Sequence, residues 1–265
     1  MSVRVVVDSS ASLPAEVVQR LDIEVLGLHR LADDKAESTS GLGTLELVVA
    51  YARQLERGGD DGVVALHVAK QLSSTHQSAV AAAAVFDGAV DVVDTGTVGM
   101  AVGAAAMAAA TRAQAGGSLA ECAAAARETL HGSATWVYLP TVDSIRKSGR
   151  LSPGTALLSA ALLAVKPILR IADGRFELAG KTRTATKAMA RLVELVRSAA
   201  GGSPALVAIQ HAHAATQAEH LRGVLSEQLP DGSTVLVTEM PAELIVHAGV
   251  GAVGVSLVRG EHHCG

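Results

Sequence analysis

Short, almost uninterrupted aliphatic runs, each closed by a turn rich in Ser, Thr or Asp and followed by a helical segment, constrain this chain more than any other feature. The first, Val3-Arg4-Val5-Val6-Val7, is apolar on successive residues, as strands covered on both faces are. Runs at 23–28, 63–68 and 90–93 alternate with helical segments at 14–20, 44–57 and 74–86, the pattern of parallel strands covered by helices. Ser12 caps the first helix and Pro14 lies near its first turn, where a missing N–H costs nothing. Two further helices, 98–115 and 119–130, are separated by the stop-and-cap signal Gly116-Gly117-Ser118.

From Ala134 the strand-like runs crowd together, at 135–139, 167–171, 175–178, 205–210, 234–238, 244–247 and 253–258, with Ala172-Asp173-Gly174 as a hairpin signal. Helices fit at 141–147, 155–163, 184–199 and 214–229. The expected fold class is therefore α/β with two domains. Residues 1–131 form a parallel-sheet, Rossmann-like domain and residues 132–265 a mixed-sheet α/β domain.

Composition removes several functions. With 22 Lys and Arg against 26 Asp and Glu the formal charge is −4, and only 2% of residues are aromatic, so no nucleic acid partner is expected. Cys122 and Cys264 have neither a disulfide framework nor metal-ligand spacing. His211-Ala212-His213 and His262-His263 lack a carboxylate or second thiol to complete a site; neither a metal nor a cofactor is expected. The apolar runs at 79–86 and 98–110 fall short of the about 20 residues that cross a bilayer. The chain begins in a strand rather than a leader, so a cytoplasmic location is expected. There is no GxSxG elbow, HExxH, paired-carboxylate motif or nucleophile with an evident base, which favours binding over catalysis.

The residues that could hold a ligand are hydroxyls. Asp8-Ser9-Ser10-Ala11-Ser12, Leu72-Ser73-Ser74-Thr75 and Asp94-Thr95-Gly96-Thr97 follow strands, and Ser38-Thr39-Ser40-Gly41 precedes another helix. Any one alone is a capping turn, but four at equivalent ends of a sheet form a donor and acceptor ring for a small anionic or carbonyl group. Arg146, Lys147 and Arg150 form one basic loop, and Lys181, Arg183 and Lys187 a second spot; each reads as a solvated face or as an anion contact. His247 closes an apolar run ahead of the spaced glycines Gly249, Gly251 and Gly254.

Four collinear motifs resemble the DegV family, two-domain bacterial fatty-acid carriers that include the acyl-binding subunits of fatty acid kinase. They are Asp8-Ser9-Ser10 with Leu13-Pro14; Leu72-Ser73 with Gln77-Ser78-Ala79; Lys147-Ser148-Gly149-Arg150-Leu151-Ser152 with Lys166-Pro167-Ile168-Leu169, Asp173-Gly174 and Lys181-Thr182-Arg183; and His247-Ala248-Gly249 with Gly251 and Gly254. The resemblance implies an acyl chain in a tunnel between the domains, its carboxyl group held at one end by hydroxyls and a His. It implies that Thr39 and Ser40 match the carboxyl-binding turn, that His247 is the carboxyl-proximal His, and that Arg150 lies near the head group or a kinase-docking face. Lys181 and Arg183 match positions for anion contact or docking. Ser9 and Ser73, from the hydroxyl turns, join the candidate set. The implied partners are a long-chain fatty acid, a fatty acid kinase catalytic subunit and, for lipid exchange, peripheral contact with a membrane.

Three departures stand out. The segment between Leu31 and Thr39 is short, Gly41-Leu42 replaces a Gln-Pro, and Ala69-Lys70 replaces a pair of serines, with Ser74 where a Gly is usual. Lys70 either supplies a charge-assisted bond in place of the missing hydroxyl or points to solvent. A lipid cargo is physically sensible: roughly 14 to 16 methylenes at about 0.8 kcal/mol each give on the order of 12 kcal/mol before ordering costs. The resulting expectation is a non-catalytic fatty-acid carrier. Its rivals are an enzyme acting on a small carbonyl compound through His247, by the family's relation to dihydroxyacetone-kinase substrate domains, and a scaffold without a ligand.

Overall fold

The computed structural model of the protein describes residues 2–33, 36–147, 150–151 and 165–260. The chain divides into two compact units, Met1–His131 and Gly132–Gly265. The first unit runs β1 (Arg4–Asp8), a 3-10 turn (Ser9–Ala11), α1 (Ala15–Leu21), β2 (Glu24–Leu26), β3 (His29–Asp33), β4 (Ala36–Ser40), α2 (Thr44–Gly58), β5 (Val63–Leu66), α3 (Thr75–Ala83), β6 (Val90–Val93), α4 (Met100–Gln114) and α5 (Leu119–His131). Its main sheet is all parallel, in the order β2-β1-β5-β6.

The unbroken aliphatic runs have a direct cause. Val5, Val7, Val64 and Leu66 face Val102, Ala105, Ala109 and Ala123 of α4 and α5, while Val6, Val63 and Ala65 face Leu47, Tyr51 and Leu55 of α2 and Ala79 and Ala82 of α3. Helices cover both faces, so neither phase of the strand period reaches water.

The second unit runs β7 (Ser133–Tyr138), α6 (Asp143–Lys147), β8 (Lys166–Ala172), β9 (Arg175–Thr182), α7 (Ala185–Ala200), β10 (Ala205–His211), α8 (Ala215–Gln228), β11 (Thr234–Glu239), α9 (Ala242–Ala248) and β12 (Val253–Arg259). The sheet is mixed, in the order β11-β10-β12-β7-β8-β9, with only β10 and β11 parallel among its neighbours. Trp136, Ile168, Val207, Ile209, Val255 and Leu257 build its core against Leu192 and Val196 of α7 and Leu221 and Leu225 of α8. Asp173 and Gly174, at φ 47° and 71°, make the two-residue turn between β8 and β9 that their sequence signals.

Three expectations need correction. Ser12 does not cap α1: Pro14 stands at the N-cap with no side-chain bond, and the Ser12 hydroxyl donates to the Ser10 carbonyl at 3.2 Å. Residues 244–247, expected as a strand, are helical within α9: Pro241 stands at the N-cap, Glu243 lies in the first turn and Gly249, at φ 80°, stops the helix. A short apolar run has no period of its own, and these end signals decide it. Ser38, Thr39 and Ser40, expected in a turn at the sheet edge, are strand residues of β4, which pairs with β3 as a separate two-stranded ribbon. Both ribbon strands are too polar to read as strands in advance; the partner strand creates them. The helix expected at 155–163 and the terminal His262, His263 and Cys264 lie outside the described residues.

Candidate functional site

The hydroxyl turns of the first unit collect at the carboxyl ends of β1, β5 and β6, where open parallel sheets place their ligands. Ser73 and Thr75 share a hydrogen bond between hydroxyls at 2.9 Å, and the Thr75 amide donates to Ser73 Oγ at 3.2 Å. The Leu42 amide donates to Thr75 Oγ1 at 3.2 Å, which draws the chain leaving β4 onto this turn. A Cβ built on Gly41 would lie 2.7, 2.9 and 3.0 Å from the hydroxyl oxygens of Thr75, Ser74 and Ser73. Gly41 is therefore a close-approach glycine, whose missing side chain lets the backbone pass beside three hydroxyls.

Ser9, the first residue of the 3-10 turn after β1, accepts the Leu28 amide at 3.0 Å. Thr39 and Ser40 pair with Arg30 and His29 across the β3–β4 ribbon. As consecutive strand residues they send their side chains to opposite faces, so regular strand geometry does not converge both hydroxyls on one atom. Lys70 lies with Asp94, Nζ to Oδ2 at 2.6 Å, with both side chains about half in solvent.

Arg150 and His247 are brought together in the second unit. His247 occupies the last turn of α9, half-buried. Burial, and secondarily the charge of Arg150, push its pKa down to about 4, so the imidazole is neutral at pH 7. Burial lowers the Arg150 guanidinium as well, which still carries its charge at any ordinary pH. A neutral ring beside a fixed cation can give a carboxylate one hydrogen bond and one charge. Gly249, Gly251 and Gly254 have the spacing of a dinucleotide loop, but they lead from a helix into a strand, so no helix N-terminus faces them.

Sequence reasoning missed a buried chain beneath the hydroxyl turns. Asp8 accepts from Ser10 at both its amide, 3.0 Å, and its hydroxyl, from the Val68 amide at 2.8 Å and from His67 Nδ1 at 3.3 Å. His67 Nε2 then lies 2.8 Å from the Tyr51 hydroxyl of α2. Asp8, His67 and Tyr51 are each at most 1% exposed. Burial alone raises the Asp8 carboxyl; the His67 bond and charge, with the Ser10 and Val68 bonds, overcome it and hold the group below its usual value. One signal was available: Asp8 and His67 both directly follow apolar strand runs whose last residues, Val7 and Leu66, are partners in register.

Among the described residues no group of three His, Cys, Asp or Glu side chains could hold a metal, and no helix is long and apolar enough to cross a membrane.

Comparison with known proteins gives a consistent answer. A DegV family protein from Corynebacterium glutamicum, seen in a crystal structure, is 54% identical, covers 98% of each chain and superposes with a TM-score of 0.95. A fatty-acid-binding DegV family protein from Thermus thermophilus is 27% identical, covering 98% of this chain and 100% of its own, at a TM-score of 0.89. DegV, a fatty acid binding protein from Bacillus subtilis, is 26% identical over 98% of this chain and 100% of its own, at 0.87. The two-domain arrangement of a parallel-sheet and a mixed-sheet α/β half is theirs. The family pattern described as an uncharacterised protein of the DegV family matches residues 28–260, and this chain belongs to that family.

Proposed function

We propose that this chain binds one long-chain fatty acid without altering it chemically, takes it up by peripheral contact with a membrane, and presents its carboxyl group to an ATP-dependent acyl kinase. The observation that carries the reading is the triple-hydroxyl turn of Ser73, Ser74 and Thr75 around Gly41 at the carboxyl end of a parallel sheet, in a relative of fatty-acid-binding proteins. Ser9, Ser73 and one of Thr39 and Ser40, which lie on opposite faces of their strand, are candidate carboxyl partners in the first unit, and His247 and Arg150 are candidates in the second. A buried carboxylate must be paired or take up a proton, and hydroxyls, a neutral imidazole and a guanidinium are suitable partners. Lys70 stays outside the set, since Asp94 already pairs it in solvent.

Mass spectrometry of an organic extract of the denatured protein tests the cargo. A long-chain fatty acid at close to one per chain is expected; repeated absence, together with no uptake of added palmitate or oleate, overturns the reading. Alanine substitution of Ser73, Thr39, Arg150 or His247 then tests the head-group assignment. Variants that retain the acid as the unmodified chain does are not carboxyl partners.

A further inference from the structure

The Asp8–His67–Tyr51 chain reaches no solvent, so it cannot act on a ligand directly. Burying three such groups is expensive, and apolar residues of the same volume often pack as well or better. A fully satisfied buried network instead imposes one geometry on the segments it joins. The segments joined here are informative. Asp8 ends β1 and fixes the turn carrying Ser9 and Ser10 through Ser10 and Val68. The His67 carbonyl accepts the Thr95 hydroxyl at 2.7 Å, tying in the turn after β6. Tyr51 lies within α2, whose first residue, Thr44, follows Leu42 closely. Leu42 is 1% exposed and its amide is the one held by Thr75 Oγ1.

The bonds form one continuous chain. His67 Nδ1–H donates to the Asp8 carboxylate, and His67 Nε2 and the Tyr51 hydroxyl share the next bond. Burial, with the Asp8 charge, pushes the Tyr51 phenol far up, so it stays protonated. Phe86 meets the Tyr51 ring edge-on, with centroids 6.4 Å apart, so the ring is held by packing as well as by its hydroxyl.

We propose that Asp8, His67 and Tyr51 are positioning residues for the hydroxyl site: they set the seat of α2 against the sheet, and through Leu42 and Gly41 the spacing of the Ser73, Ser74 and Thr75 hydroxyls. The role as a ligand site rests on the fatty-acid reading above; the mechanical link does not.

Tyr51→Phe in the full chain keeps the ring and removes one hydroxyl, and Asp8→Asn removes the charge at the other end. Val64→Ala, in the core on the opposite face of the sheet, is the control for lost stability alone. Palmitate and oleate affinities are measured by calorimetry, stability by urea, and exchange of the Leu42 amide by NMR. Tyr51→Phe is expected to weaken fatty acid binding about fivefold and speed Leu42 exchange about tenfold. Val64→Ala, at an equal or larger loss of urea midpoint, should leave affinity within about twofold. Unchanged affinity and exchange in Tyr51→Phe overturns the proposal, as does a fall that merely tracks stability in both variants. If the unmodified chain binds neither acid, the carrier reading fails, and Leu42 exchange alone decides the link. Should Asp8→Asn not fold, Tyr51→Phe carries the test.

Discussion

Thr75 Oγ1 accepts the Leu42 amide at 3.2 Å across 33 residues of sequence, and this bond fastens the chain leaving the β3–β4 ribbon onto the start of α3. Thr75 is itself fully buried, so its hydroxyl has little room to shift.

Gly41→Ala puts that relationship under strain. The new methyl would lie 2.7 Å from Thr75 Oγ1, closer than the hydroxyl can tolerate. Overpacking of this kind costs about 1 to 3 kcal/mol, and the displaced hydroxyls should lower fatty acid affinity roughly tenfold. Calorimetry beside urea unfolding checks both, and an alanine variant that binds and unfolds like the unmodified chain refutes the close-approach role of Gly41.

The His247 imidazole should titrate near pH 4 in the ligand-free protein, read from its ring proton shifts. Burial is the larger cause and Arg150 the smaller, so Arg150→Gln should raise the midpoint without restoring the ordinary value of 6.5. The sign for stability follows: the unfolded chain binds the proton more readily, so this contribution is intact above pH 6.5 and declines as pH falls toward 4. If a fatty acid carboxylate contacts the ring, its midpoint rises on adding oleate; an unmoved midpoint in a loaded protein removes His247 from the head-group set.

Lys70→Ala should be almost silent. Its partner Asp94 is exposed, and solvent pairs of this kind contribute about 0 to 1 kcal/mol. Fatty acid retention within about twofold of the unmodified chain is expected. A large loss of retention would mean that Lys70 leaves Asp94 for the ligand.

Ser118→Ala should cost about 1 kcal/mol in urea unfolding, because Ser118 and Glu121 form a reciprocal capping box at the start of α5. The Ser118 amide and hydroxyl, with Arg112, hold the Glu121 carboxyl down to about 2. The Glu121 contribution is therefore present above its ordinary value of 4.5 and fades as pH drops toward 2. In Ser118→Ala that acid-side fading should shrink; an unaltered pH profile of stability counts against the cap.

Local chemistry determined a good part of this protein. Val5, Val6 and Val7 declare a strand covered on both faces, Asp173-Gly174 a tight hairpin, and Gly116-Gly117-Ser118 the break between two helices, because each depends on neighbouring residues alone. The hydroxyl-rich turns after β1, β5 and β6 were legible for the same reason. Tertiary structure alone decided the rest. Polar residues 36–40 became a strand once β3 lay beside them, and His67 became the middle of a buried chain between Asp8 and Tyr51. His67 lies 59 residues from Asp8 and 16 from Tyr51, and a side chain carries no record of which distant group will satisfy its hydrogen bonds until packing brings the two together.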